Sequence, residues 1–281
     1  MKRLALCTAL WLLCSCGLAA PLTGRNVSPG VGRALFEVRT NGTDLVPMTV
    51  LFPSDDEGRA LPGPRPAVVF IQGGFVGRSR YEWQGEALAR AGYVVVLPQH
   101  QLDLAFFSIE YGQAARGLLV APPPNSLLEG LVDPARVAVA GHSLGSVVAM
   151  KLALGGGFAA VVLEAGFPDS GDAAKVAAFT RPSLSLAGDL DCSAKVASVR
   201  AGWDTMPSPT ALAVLEGVTH YQFTDADTED RQRECVPRAE LTDAHARISQ
   251  AMLAFLDAAL SDGTVGEPAL RLVPGATVEV R

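Results

Sequence analysis

Histidine is scarce in this sequence, and a surplus of positive charge is missing altogether. Four histidines in 281 residues leave few side chains able to exchange a proton near neutral pH. Lysine and arginine number 23 against 29 acidic residues, a formal charge of −6, which argues against a nucleic-acid partner. Only 19% of residues are charged while 49% are hydrophobic, so disorder is excluded as well. There is no internal repeat, no low-complexity tract and no break in composition that would mark a domain linker. A chain of this length therefore reads as one large domain with a full core, and a monomer is expected.

The first residues, MKRLALCTALWLLCSCGLAAP, carry a basic start, an apolar run from Leu4 to Leu13 and small residues after it. The run is too short for a membrane span and reads as a secretory signal occupying residues 1–19. Two endings compete: cleavage after Ala19, or lipidation at Cys16, because Leu13-Cys14-Ser15 before it resembles a bacterial lipobox. The expected location is the periplasm, the medium or, with the lipid anchor, an outer surface. Losing Lys2 and Arg3 with the leader reduces the 23 basic residues to 21 and takes the charge to −8.

Cysteine is also sparse. Of five, Cys7, Cys14 and Cys16 lie in the leader, so Cys192 and Cys235 are the two that remain in either case. In an exported protein such a pair predicts one disulfide; two reduced, buried thiols are the other reading.

Two alternating segments, Ala34 to Thr40 and Asp44 to Phe52, flank Asn41-Gly42, a dipeptide suited to a tight hairpin turn. Short apolar runs follow at Ala67 to Ile71, Tyr93 to Leu97, Arg136 to Ala140, Ala159 to Leu163, Ser183 to Ala187 and Ala211 to Leu215. Each suits a buried parallel strand. Helical segments are expected between them, at Glu82 to Ala91, Phe107 to Leu118 and Leu144 to Leu154, with a long last one from Arg238 to Leu260. This order predicts an α/β fold: a mainly parallel central sheet with antiparallel N-terminal strands and helices on both faces. Residues 20–33 form an N-terminal segment, 34–260 the domain itself, and 261–281 a tail that reads either as a peripheral strand or as a loose end.

One Gly-x-Ser-x-Gly occurs, Gly141-His142-Ser143-Leu144-Gly145, between the strand ending at Ala140 and the helix opening at Leu144. That context is the one a nucleophilic serine needs, because a sharp strand-to-helix turn raises the hydroxyl above the carboxyl edge of the sheet. Serine is a weak nucleophile on its own and requires a base, which in turn requires an acid to orient it. Among the four histidines, His142 adjoins the serine and should point away, His100 follows an early strand, and His245 belongs to the last helix. His220, in GVTHYQF directly after the final predicted strand, is the candidate base. The acid should lie between serine and histidine at a strand end. SLSLAGDLDCSA offers Asp189 and Asp191, and VVLEAGFP offers Glu164.

Gly188-x-x-Asp191 followed by Ala194, and the later Gly217-Val-Thr-His220, resemble the acid and histidine loops of the cutinase and polyester-hydrolase branch of the α/β-hydrolases. The segment FIQGGFVGRSRYEWQGEALARAGYVVVLP, residues 70–98, is similar to the oxyanion loop, helix and strand of that branch and of its dienelactone-hydrolase and chlorophyllase relatives. The likeness spans residues 45–258. It implies an α/β-hydrolase fold and Asp191 as the acid. Chlorophyllase-like and platelet-activating-factor acetylhydrolase-like relatives that hold the acid one strand earlier keep Glu164 open, and Asp189 stays as a third choice. The resemblance also implies an oxyanion hole of the Phe75 and Leu144 N–H groups.

Trp83, Phe167 and Tyr221, with Phe75, are candidates for an apolar acyl pocket. TDADTEDRQRE, residues 224–234, faintly resembles a calcium loop, yet Asp230 occupies the glycine position and Val236 that of the bidentate glutamate, so neither metal nor cofactor is expected. About twenty residues between the strands ending at Leu163 and starting at Ser183 leave no space for a large lid. The function expected is hydrolysis of a carboxylic ester, small or polymeric, through Ser143, His220 and Asp191. Dienelactone hydrolases usually carry cysteine at the elbow, and serine here favours the esterase. A serine peptidase of the same fold and a non-catalytic binding protein on a hydrolase scaffold are the alternatives. Taken singly, Ser143 is an ordinary helix N-cap and Asp191 an ordinary turn residue.

Overall fold

Valine-rich runs dominate the centre of the molecule. This computed structural model describes residues 24–28, 30–40, 44–100, 109–232 and 235–281. The signal, Cys16, the Asn41-Gly42 turn and the expected helix start at Phe107 lie outside them. Strands β4 (Arg65–Ile71), β5 (Val94–Pro98), β6 (Val132–His142), β7 (Ala160–Glu164), β8 (Ser183–Gly188) and β9 (Thr210–Leu215) pair in parallel in the order β5-β4-β6-β7-β8-β9. All five residues of β5 and of β7 are buried. Continuous burial is what a strand covered on both faces requires, and it explains why these segments do not alternate.

Antiparallel strands close the sheet on both sides. On one edge lie β1 (Gly24–Ser28), β2 (Val31–Arg39) and β3 (Leu45–Pro53), with β3 against β5. The β2–β3 register runs from Val31↔Pro53 to Arg39↔Leu45, the hairpin the alternating segments predict. On the other edge β10 (Ala276–Val280) pairs with β9, from Ala276↔Leu215 to Val280↔Ala211. The tail is therefore a strand of the sheet, and the sheet extends beyond residues 34–260 in both directions. Among the described residues the sheet has ten strands.

Helices α1 (Glu82–Arg90) and α7 (Leu241–Ser261) pack together on one face, while α2 (Ile109–Val120) and α3 (Leu144–Leu154) share the other with α5 (Val196–Trp203), which lies against β8 and β9. Helix α7 shows why: Ala244, Ile248, Ala251, Met252, Phe255 and Ala259 recur at helical spacing and are buried, forming one apolar stripe toward the sheet. Helix α3 has the expected bounds and is apolar nearly all round, as a helix between the sheet and a second helix must be. Between β7 and β8 the chain makes only a 3₁₀ turn, Ser170–Asp172, and the five-residue α4 (Ala173–Ala177). Two further short helices, α6 (Thr228–Gln232) and α8 (Glu267–Leu270), complete the chain.

Candidate active site

The turn from β6 into α3 can be built only with glycine beside the serine. A β-carbon on Gly141 would stand 2.2 Å from the carbonyl oxygen of Gly145, and one on Gly145 would stand 2.3 Å from that of Ile71. Ser143 itself has φ 55° and ψ −120°, a region costly for a side-chain-bearing residue. Its N–H donates to the Glu164 carbonyl at 2.7 Å, anchoring the turn to the end of β7.

The hydroxyl does not cap its own helix. It lies 3.0 Å from His220 Nε2. His220 Nδ1 is 2.7 Å from Asp191 Oδ2, and both side chains are buried. A carboxylate only accepts, so this contact puts the imidazole proton on Nδ1 and leaves Nε2 to accept from Ser143 Oγ. The other carboxylate oxygen, Asp191 Oδ1, accepts the N–H groups of Ser193 and Ala194 at 2.7 Å each. Asp191 is thus a turn residue and the partner of His220 at once. Ser143 follows β6, Asp191 follows β8 and His220 follows β9, so three strand ends converge on one edge of the sheet.

The competing carboxylates are elsewhere. Asp189 Oδ1 accepts the Gly217 N–H at 2.6 Å and ties the loops after β8 and β9 together. Glu164 is fully buried at the end of β7, where Oε1 accepts a short hydrogen bond from Gln84 Nε2 and Oε2 has no partner. Burial pushes its carboxyl up to about 8, against the weaker opposing effect of the Gln84 bond. The folded state therefore binds this proton above the ordinary 4.5, and the associated stability is present at low pH and lost as pH rises toward 8. Glu164→Gln keeps the acceptor for Gln84 and removes the titration. Its advantage over the parent in urea unfolding is expected to grow by on the order of 3 kcal/mol between about pH 5 and pH 8. A pH-independent difference would count against a protonated Glu164.

Beneath the elbow lies a polar cluster that no motif in the sequence announces. Gly73 N–H donates to the Tyr81 hydroxyl at 2.9 Å, and that hydroxyl meets His142 Nδ1 at 2.9 Å. Burial first, and then the charge of His220, holds His142 well below the usual histidine range, so its neutral ring can accept from Tyr81. The Tyr81 hydroxyl thus joins the loop bearing Phe75 to the residue preceding Ser143.

Gly74 borders Leu144 across the turn, 3.2 Å separating a β-carbon there from Leu144 Cδ2. Phe75 has φ 60° and is 81% exposed, and Leu144 opens a helix, where first-turn N–H groups lack intrahelical acceptors. Four non-glycine residues among those described have positive φ, and Phe75, Ser143 and Ala165 all lie just past the ends of β4, β6 and β7. Strain of this kind gathers at functional sites.

The histidine loop is pinned from outside by Arg80, which donates to Glu229 at 2.8 Å, to Thr224 Oγ1 at 2.9 Å, to the Ala226 carbonyl at 3.0 Å and, in a short bond, to Asp225. Its guanidinium holds Glu229 down at about 2. Two acids of the faint calcium-loop pattern are thereby ion-paired, and among the described residues no cluster of three or more His, Cys, Asp or Glu is placed to hold a metal.

A cavity of about 910 Å³ opens beside the elbow. Leu144, Val147 and Val148 of α3 form one wall, Lys151 ends that wall, and Phe167 and α5 lie opposite. Of the expected pocket residues only Phe167 lines it. Trp83 is stacked on His245, 3.5 Å between ring centroids, and the His245 Nε2–H donates to the Thr224 carbonyl at 2.8 Å. Tyr221 packs edge-on against His220, and its N–H donates to Asp230 Oδ2 at 2.6 Å. Both aromatic rings brace the histidine loop instead of forming this cavity.

An open parallel sheet with a serine elbow at its carboxyl edge is the architecture of an α/β hydrolase. The family model described as "Alpha/beta hydrolase family" matches residues 67–236, more than half of the chain, and the protein belongs to that family. Family membership makes hydrolysis the class of its activity. No curated protein matches the sequence. Cys192 and Cys235 are bonded, with α-carbons 6.1 Å apart, which fits an extracellular or periplasmic location.

Proposed function

We propose that the protein is a serine ester hydrolase, with Ser143 as nucleophile, His220 as general base and acid, and Asp191 as the group that orients the imidazole and stabilises its positive charge. The observation that carries this reading is the continuous path Asp191–His220–Ser143, with contacts of 2.7 and 3.0 Å, ending on a strained elbow. Ser143 Oγ attacks the ester carbonyl while its proton passes to His220 Nε2. The Leu144 and Phe75 N–H groups receive the oxyanion. The proton then goes to the departing alcohol, and water, deprotonated by the same imidazole, releases the acyl group.

Support for an ester over a peptide comes from the apolar cavity touching Leu144 and from the short β7–β8 insertion, too small to form a lid over the site. The likeness to cutinase-type and dienelactone-hydrolase-type sequences points the same way. Export as a secreted protein, or as a lipoprotein through Cys16, accords with the disulfide. The test is incubation with a short p-nitrophenyl ester and with a fluorophosphonate, followed by mapping of the labelled residue. Ester turnover with the label on Ser143 is expected. Peptide turnover exceeding ester turnover would favour the peptidase, and an unlabelled, inactive protein would favour the binding scaffold.

A further inference from the structure

The cavity beside the elbow has a direction and an end. Its α3 wall runs from Leu144, next to Ser143, through Val147 and Val148 to Lys151. These positions share one helix face, and seven residues of helix span about 10 Å. The first three side chains are apolar. At the fourth, Lys151 Nζ is held 2.8 Å from Asp169 Oδ2 and is also bonded to Asp172, so a fixed group of charges stands at the last α3 residue that lines the trough. Across from α3, Gly202 lets the chain at Phe167 approach, since a β-carbon there would stand 2.4 Å from Phe167 Cβ. Phe167 and α5 thus form one continuous wall facing α3, and Phe167 is 38% exposed.

We infer that this trough measures the acyl chain, and that the substrate class is esters of linear saturated acids about eight carbons long. The inference rests on the esterase reading. An all-staggered chain advances roughly 1.25 Å per carbon, so about eight carbons reach from the serine to Lys151. Each methylene laid along Leu144, Val147 and Val148 leaves water and strengthens binding, by up to about fourfold per carbon. A longer chain gains nothing more, because its apolar end must press against Lys151 and its carboxylate partners and strip their water. Attraction along the walls and a charged stop at the end together produce an optimum, where an apolar groove without the stop would give a plateau.

The experiment is a series of p-nitrophenyl esters, acetate, butyrate, hexanoate, octanoate, decanoate and dodecanoate, each below its micellar concentration, with active sites counted by fluorophosphonate titration. The expected kcat/KM rises about a hundredfold from acetate to octanoate and falls again at dodecanoate. In Lys151→Met the charged stop is replaced by an apolar side chain, and the optimum moves to decanoate or dodecanoate. In Val147→Trp the trough is filled, and the octanoate-to-acetate ratio drops to near unity. The parent profile requires no variant, so a misfolded variant does not remove the test. A maximum at acetate or butyrate, a profile still rising at dodecanoate, or an optimum unmoved in folded Lys151→Met would overturn the ruler while leaving the esterase standing. Absence of all ester turnover together with no label on Ser143 would overturn both.

Discussion

Ser143→Ala is expected to lower turnover of a short p-nitrophenyl ester by on the order of a millionfold, and His220→Ala by a similar factor. The pair combined should lose little more, because the three side chains act as one unit and the first deletion already disables the proton path. Asp191→Asn should cost less, on the order of ten thousandfold. An amide at that position presents an N–H or a weaker acceptor to His220 Nδ1, so the ring no longer rests in the tautomer that accepts from Ser143. The protein should stay folded in the serine variant, since the Ser143 hydroxyl caps nothing in α3. Thermal unfolding of each variant separates a chemical loss from a structural one. Full activity in Asp191→Asn with loss in Glu164→Gln would move the acid to β7 and refute the assignment.

Much of this site can be read before any coordinates exist, and the reason is local. A strand that must be buried on both faces is written as a continuous apolar run, and a serine between two glycines at a strand-to-helix boundary is a backbone requirement as much as a chemical one. The clashes at Gly141 and Gly145 give that requirement its distances. The choice among Glu164, Asp189 and Asp191 is different in kind. All three stand at or just past a strand end, and only side-chain direction separates them: Asp189 turns to Gly217, Glu164 turns into the core toward Gln84, and Asp191 alone meets His220. Direction is a property of tertiary packing, and spacing does not encode it.

The same limit applies to residues whose surroundings only tertiary packing reveals. Nothing in the pattern singles out Gln84 or Tyr81, yet both are fully buried, bonded to the end of β7 and to the loop carrying Phe75. Trp83 has the look of a pocket aromatic, and its stacking on His245 of α7 is a contact that spacing does not announce. The tail reads ambiguously because Gly266, Pro268 and Pro274-Gly275 interrupt it; in space these breaks let α8 turn back and lay β10 along β9. Short edge strands carry little sequence signal, since they are only partly buried, as β10 is, and need no continuous apolar run.

Breaking the Cys192–Cys235 bond should reduce both stability and turnover, by separable routes. The two cysteines are 43 residues apart, and opening a loop of that size returns enough freedom to the unfolded chain to cost about 4 kcal/mol on a chain-entropy account. The effect on turnover follows from where the bond sits. Cys192 adjoins Asp191, whose Oδ1 already organises Ser193 and Ala194. Cys235 N–H donates to the Asp230 carbonyl at 2.9 Å, and Asp230 Oδ2 accepts the N–H of Tyr221, the neighbour of His220. The disulfide therefore closes a circuit through both loops that meet at the Asp191–His220 contact. With the bond gone, that contact depends on its own hydrogen bond and on the Arg80 clamp. Two side chains that must stay aligned then share a larger ensemble, and kcat should fall several-fold with KM little changed, since the acyl trough is formed by other elements. The measurements are urea unfolding and ester kinetics on Cys192→Ala/Cys235→Ala and on the reduced parent, well below the unfolding temperature. Thiol titration of the denatured, unreduced protein should find neither cysteine free. If the reduced protein keeps its full kcat, the bond serves stability alone; if both thiols titrate, the bond does not form in the protein and the circuit fails with it.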